Sequence, residues 1–170
     1  PERRYLTFWG DKVVRQEQNV CKIIDLNTGA EISLFTLDNI NTWVGLPIHD
    51  QPKVRSLYYA SFPFANKSIV AVSNGKSVYM VDFKAHKVVD TIELPLDVQA
   101  RDYQYQTHAT AYVQDNQLYV VDPLGAEHKL TEDGSADIVY GQSVHRDEFG
   151  INGGLFWSPK GNHLAFYRMD

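Results

Sequence analysis

The chain has 170 residues, of which 44 % are hydrophobic and 22 % charged, the balance of a folded soluble protein. Its formal net charge is −5 and it contains no run of Lys and Arg, which argues against nucleic acid as a partner, because a phosphate-binding face needs a basic stripe. Cys21 is the only cysteine, excluding an internal disulfide framework and a thiolate metal site, and no apolar run approaches the roughly 18 residues of a membrane span.

In chain order, the opening "PERRYLTFWG" lacks the apolar stretch of a signal peptide, although a processed or truncated start reads the same way. "CKIIDLNTGAEISLF" is the first hairpin, its turn at Asn27-Thr28-Gly29. "SIVAVSNGKSVYMVDF" is a second, in which Asn74-Gly75 predicts a tight turn with positive φ at both central residues. "ATAYVQDNQLYVVD" repeats the design with "QDNQ" at its turn, and "WSPKGNHLAF" near the end is a further strand, turn and strand. Ten tyrosines and many β-branched residues fit a strand-rich chain, and no stretch shows a 3.6-residue apolar period over a helix length.

The segments resemble one another. "CKIIDLNTGAE", "VYMVDFKAHK" and "LYVVDPLGAE" each place an apolar run before an aspartate and a turn, with steps of 82 − 25 = 57 and 122 − 82 = 40 residues between Asp25, Asp82 and Asp122. "WSPKGNHLAF" echoes "SFPFANKSIVAV", with Pro159 and Asn162 in register with Pro63 and Asn66. Repeats of about 40 to 50 residues holding four short strands are the mark of β-propeller blades, and three unrelated hairpins in a β-sandwich are the alternative. The expected fold is all-β, a partial β-propeller of about three four-stranded antiparallel blades plus the start of another. Residues 1–170 then form a fragment of one propeller domain, with approximate blades at 1–59, 60–105, 106–150 and 151–170. A ring needs at least about four blades, so the fragment leaves open sheet edges that are prone to pair with other chains.

The stretch "ADIVYGQSVHRDEFGINGGLFWSPKGNHLAFYRMD" resembles the N-terminal propeller of the dipeptidyl peptidase IV family, with its bacterial dipeptidyl and prolyl tripeptidyl members nearest. In that family a blade ends near "YEEEF", and "WSPDGKxLAFxRxD" follows at a fixed distance. Here Glu148-Phe149 takes the place of the last Glu and its Phe, and Trp157-Ser158-Pro159 stands at the expected spacing. The likeness is good over 108–170, weaker over 60–107 and vague before that.

The resemblance implies a role for the charged run His145-Arg146-Asp147-Glu148. In the family an acidic pair on a short projecting segment binds the free α-amino group of a peptide substrate, beneath which an α/β-hydrolase domain carries the serine nucleophile. An ammonium needs an anionic acceptor with several lone pairs, and charge-assisted bonds in a partly desolvated cavity are short and strong. Glu148 carries over as the principal acceptor and Asp147 as its helper, one methylene shorter than the family's Glu. Arg146 departs from the pattern, standing where dipeptide-releasing members often have another Glu; a single reaching carboxylate held by Arg146 would suit a tripeptidyl variant or a different register. Taken without the resemblance, the same four residues read as a solvated loop.

Other candidates carry less. His145 and Glu148 lack the helix that makes an i, i+3 pair a metal site, so neither metal nor cofactor is expected. Gly150, Gly153 and Gly154 lack the helix and Lys-Ser/Thr of a phosphate loop and instead suit a bend back into the next strand. His49, His86, His108, His128 and His163 read as surface residues, and Trp157 and Phe166 as blade core. No G-x-S-x-G elbow occurs, so no catalytic residue is assigned and the fragment alone should lack peptidase activity. The expected function is substrate gating and N-terminus binding in a serine exopeptidase that releases di- or tripeptides after proline. Its partners are the peptide substrate and the C-terminal hydrolase domain of the parent chain. The alternative is a non-catalytic propeller scaffold or a pseudo-peptidase. The resemblance further implies export to the periplasm or cell surface, and it allows a homodimeric parent.

Overall fold

A computed structural model describes residues 5–45, 53–143 and 153–170. The chain divides into two compact units, Pro1–Leu94 and Pro95–Asp170. Every pairing is antiparallel, and the three- and four-stranded sheets run in simple up-and-down sequence order, which is the construction of a propeller blade.

The first unit holds two sheets. β1 (Tyr5–Trp9), β2 (Lys12–Gln16), β3 (Val20–Ile24) and β4 (Glu31–Thr36) form one, in sequence order. β5 (Ile69–Ser73), β6 (Ser77–Asp82) and β7 (Lys87–Glu93) form the other, with a rudimentary fourth strand in the single bridge Ser61↔Ala71. The alternation of each strand sends Trp9, Val14, Cys21 and Phe35 from one sheet, and Val70, Val72, Tyr79 and Val81 from the other, into a common core. Trp9, Phe35, Phe62 and Phe83 make an aromatic cluster there, with ring centroids 5.1–6.2 Å apart.

Between the sheets lies α1 (Leu37–Val44), the one helix among the described residues and one that the hydrophobic periodicity does not predict. Its start is set by a capping box: Asn39 N donates to Thr36 Oγ1 and Thr36 N to Asn39 Oδ1, at 3.1 and 2.9 Å. Its end is set by Gly45, left-handed at φ 66°. Two turns with one fully buried residue, Ile40, are too short for an apolar period to emerge, so the caps are the readable signal.

The second unit contains β8 (Ala100–Tyr103), β9 (Thr110–Gln114), β10 (Gln117–Val121) and β11 (Glu127–Lys129), a four-stranded sheet. After it come β12 (Val139–Tyr140), the hairpin β13 (Leu155–Trp157) and β14 (Leu164–Phe166), and β15 (Arg168–Met169), which returns to β12. Ala111, Val113, Leu118, Tyr140 and Leu155 are its buried core.

The turns refine the expectations. Asp115 and Asn116 both take positive φ, 50° and 60°, and join the paired residues Gln114 and Gln117, the two-residue hairpin that "QDNQ" implies. Asn74-Gly75 does not repeat this geometry. Only Gly75 is left-handed, and Asn74 Oδ1 instead accepts the amides of Lys76 and Ser77, both at 2.9 Å, making a longer loop. The three recurring aspartates share one task. Asp25 Oδ1 accepts from Asn27 and Thr28, Asp82 Oδ1 from Lys84 and Ala85, and Asp122 Oδ1 from Leu124 and Ala126. Each folds the turn that follows its strand, which is why the repeat is spelled with Asp.

Candidate functional site

The second unit brings together the two ends of the segment that holds the charged run. Tyr140 closes β12, Gly141 follows, and the chain returns at Gly154 to enter β13. Gly154 N donates to Gly141 O at 3.1 Å, Gly141 N to Tyr167 O at 2.8 Å, and Tyr167 N to Gly154 O at 2.9 Å. Three backbones thus close a ring of hydrogen bonds, with Gly141 and Gly154 as the two feet of the intervening segment. Asp147, Glu148 and Arg146 fall between these feet in sequence and lie outside the described residues, as do His145 and Gly150.

Glycine is required at both feet. Gly141 has φ +60°, and a Cβ there would stand 2.6 Å from Leu155 Cδ2 and 2.8 Å from Val113 Cγ2. At Gly154 a Cβ would stand 2.4 Å from Gln142 O. Gly153 has nothing within 4 Å of such an atom, so the close approach falls on Gly154 rather than on the glycine pair.

The feet are braced by polar contacts from both sides. Tyr140 Oη donates to Asp133 Oδ1 at 2.6 Å and accepts from Arg168 Nε at 3.2 Å, while Arg168 also reaches Asp133 Oδ2 at 3.2 Å and Asp170 Oδ2 at 2.8 Å. The Tyr140 hydroxyl and then the Arg168 guanidinium hold the Asp133 carboxyl below the usual carboxylate range. On the other side Gln142 Nε2 donates to Asn116 Oδ1 at 3.3 Å.

The return strand is fixed by the "WSPKG" turn. Ser158 N donates to His163 O and Gly161 N to Ser158 O, each at 2.8 Å. The side chain of Gln104, buried at the end of β8, grips this turn: its Nε2 donates to Ser158 O at 2.9 Å and Pro159 O at 3.1 Å. Trp157 Nε1 donates to Asp102 O at 3.3 Å, and burial raises the Asp102 carboxyl above its ordinary value. Trp157 therefore packs on the core as expected. Phe166 does not: it is 39 % exposed and leans on the Tyr140 ring 5.9 Å away. Among the described residues its strand pairs with β13. His86, His108, His128 and His163 are exposed, while His49 lies outside the described residues.

The clamp residues Gln104, Asn116 and Gln142 are not singled out by the sequence. The readable trace is an echo between turns: Gln104 N donates to Ala109 O as Ser158 N donates to His163 O, both at 2.8 Å and both across five residues. Gln104 thus holds the place in one blade that Ser158 holds in the next.

Antiparallel up-and-down sheets of this kind define part of a β-propeller domain. Residues 55–170 match the family model of the dipeptidyl peptidase IV (DPP IV) N-terminal region, and the chain belongs to that family. It is 29 % identical over 94 residues to dipeptidyl peptidase 4 of Felis catus, covering 52 % of this chain and 12 % of that protein. Its fold is similar to the crystal structure of a protein assigned as a dipeptidyl aminopeptidase IV from Bacteroides ovatus ATCC 8483, with a TM-score of 0.76 and 34 % identity. That match covers 100 % of this chain and 24 % of the solved one, so the chain spans about a quarter of its structural relative. No helix among the described residues is long and apolar enough to cross a membrane.

Proposed function

We propose that this chain is the amine-recognising part of the propeller of a serine exopeptidase, with Glu148 accepting the α-ammonium of a peptide substrate and Asp147 assisting it. Arg146 supports Glu148 in this reading and leaves room for a third residue ahead of the scissile bond. The observation that carries the reading is the family match over residues 55–170, which contains the acidic pair. Gly141 and Gly154, whose backbones are hydrogen-bonded to each other, flank the acidic pair in sequence, and the pair stands at the family's distance from Trp157. An ammonium held by a carboxylate measures distance from the peptide's N-terminus, and internal segments without that charge are rejected.

In the same reading the whole chain is one stretch of a single propeller ring. It gates access to an α/β-hydrolase domain further along the parent chain, which hydrolyses the peptide after proline through a seryl ester. The family likeness also supports an exported parent, at the periplasm or cell surface. The test is kcat/KM of the full parent chain on prolyl dipeptide and tripeptide chromogenic substrates, for wild type and Glu148→Gln. Loss of one charge-assisted bond to the ammonium lowers kcat/KM by about ten- to more than a hundredfold, from about 1.5–3 kcal/mol. An N-acylated substrate is unaffected. Equal loss on both substrates would remove the amine role, and a wild type without activity would favour a scaffold.

A further inference from the structure

Asn-Gly is the dipeptide in which an asparagine side chain is most open to attack by its own backbone, because glycine sets no side chain beside the attacking nitrogen. In the β5–β6 loop the atoms of that reaction are all engaged. Asn74 Oδ1 accepts from Lys76 N and Ser77 N, both at 2.9 Å, and Asn74 Nδ2 donates to the hydroxyl of buried Tyr79 at 3.2 Å. Gly75 N donates to Ser73 Oγ at 3.0 Å, and that hydroxyl donates in turn to Ser77 O at 2.9 Å. Two backbone donors fix the orientation of the Asn74 amide, since only its oxygen can face them. Asn74 N closes the loop on Ser77 O at 3.2 Å.

We propose that Asn74-Gly75 is a latent modification site, a self-deamidating pair that the closed loop holds unreactive and that local opening releases. The reaction begins when hydroxide or a buffer base takes the proton of Gly75 N. The nitrogen lone pair then adds to Asn74 Cγ, the Cγ–Nδ2 bond breaks, and Nδ2 leaves as ammonia with a proton from water. A second water opens the resulting cyclic imide at either carbonyl, leaving aspartate or isoaspartate at position 74, and nothing is oxidised or reduced.

In the closed loop the proton to be lost is held on Ser73 Oγ. The Asn74 amide cannot turn toward Gly75 N without releasing the N–H groups of Lys76 and Ser77 and the hydroxyl of Tyr79. Each such bond is worth about two- to twelvefold in an equilibrium, so three of them slow the attack by about tenfold to a thousandfold. The two products differ in fit. Aspartate still accepts from Lys76 and Ser77, and it accepts from the Tyr79 hydroxyl as well. Isoaspartate lengthens the main chain by a methylene, which pulls Asn74 N away from Ser77 O and loosens the adjoining pair Ser73↔Val78. Each opening of the hairpin can thus leave a covalent mark in the sheet that supplies Val70, Val72, Tyr79 and Val81 to the core.

The test incubates the full parent chain at mildly alkaline pH, native and in guanidinium chloride, and follows deamidation at 74 by mass spectrometry of a peptide covering 69–82. Asn152-Gly153 is the other Asn-Gly pair of the sequence; Asn152 lies outside the described residues, and its peptide is measured separately. Native wild type deamidates at 74 about tenfold to a thousandfold more slowly than the unfolded chain. Tyr79→Phe removes the partner of Nδ2 and Ser73→Ala that of Gly75 N. Each speeds the native reaction about two- to twelvefold and leaves the unfolded rate unchanged. Ser73 is exposed, so its variant keeps the core even where the Tyr79 variant fails to fold. Equal rates at 74 in native and unfolded wild type overturn the proposal. So does a native rate above the unfolded one, which would make the Lys76 and Ser77 amides promoters of the attack rather than restraints. A native rate that neither substitution moves overturns it too.

Discussion

Replacing Gln104 by Met should loosen the "WSPKG" turn by an amount that can be worked from its bonds. The side chain is 7 % exposed, donates at 2.9 and 3.1 Å to Ser158 O and Pro159 O, and accepts from Gln106 N at 2.6 Å. Met fills nearly the same volume, so no cavity opens, and the loss is that of three neutral hydrogen bonds at about 0.5–1.5 kcal/mol each. Two of the abandoned groups find relief. Ser158 O still accepts from Gly161 N at 2.8 Å, and Gln106 is exposed, so its amide can reach water. The net cost is therefore about 1.5–3 kcal/mol, most of it from Pro159 O.

Gln104→Glu separates this account from simple packing. A carboxylate oxygen would replace the donor and face two carbonyl oxygens, which costs about 3 kcal/mol or more for an ionised group. Its folded pKa would be raised above the unfolded value of about 4.3, so the penalty is full above the folded pKa and fades as pH falls toward the unfolded one. Hydrogen exchange of the amides over 158–163 in the parent chain reads this directly. For Met the local opening rate should rise about 10- to 150-fold, and for Glu it should rise further at neutral pH and approach the Met value on acidification. Equal protection in wild type and Gln104→Met, or a Glu penalty that grows as pH falls, would refute the reasoning.

The remaining predictions concern the first unit and the repeated turns. Cys21 is fully buried and burial pushes its thiol up to about 12, so native protein at pH 8 should resist iodoacetamide and react only after denaturation. Mass spectrometry of labelled peptides decides this, and native labelling would count against the core position. The turn aspartates Asp25, Asp82 and Asp122 all have carboxyls held below the ordinary range, by Asn27 N–H first for Asp25, Ala85 N–H first for Asp82 and His128 first for Asp122. A depressed folded pKa contributes stability above the unfolded value of about 3.9 that is lost as pH falls through the folded one. Asp82→Asn should consequently be less stable than wild type at pH 7, with the gap closing below about pH 4. Denaturation midpoints across pH check it, and a gap that widens in acid would contradict the turn role.

Much of the fold is local and therefore written locally. Apolar runs mark the strands, buried on both faces in β6 and β9, and Asp-to-amide turns recur because a carboxylate can satisfy two backbone donors within three residues. The hairpins at Asp115-Asn116 and Asn27-Thr28-Gly29 could be located for that reason. The helix at Leu37–Val44 escaped because two turns carry too few apolar positions to show a period, although Thr36, Asn39 and Gly45 do spell its caps. Asn74-Gly75 misled over turn type because the side chain of Asn74 took the amides that a tighter turn would leave to the backbone.

By itself, then, the sequence determined an all-β chain of repeated hairpins, the family to which it belongs, and an acidic pair set a fixed distance before Trp157. Only the tertiary structure decided how the base of that acidic segment is held. Gly141, Gly154 and Tyr167 close a backbone ring, Asn116 reaches Gln142 across 26 residues, and Gln104 reaches Ser158 across 54. Amide side chains carry no periodic signature and bond equally well to any nearby peptide group, so their partners are set by where packing brings the chain, not by spacing along it.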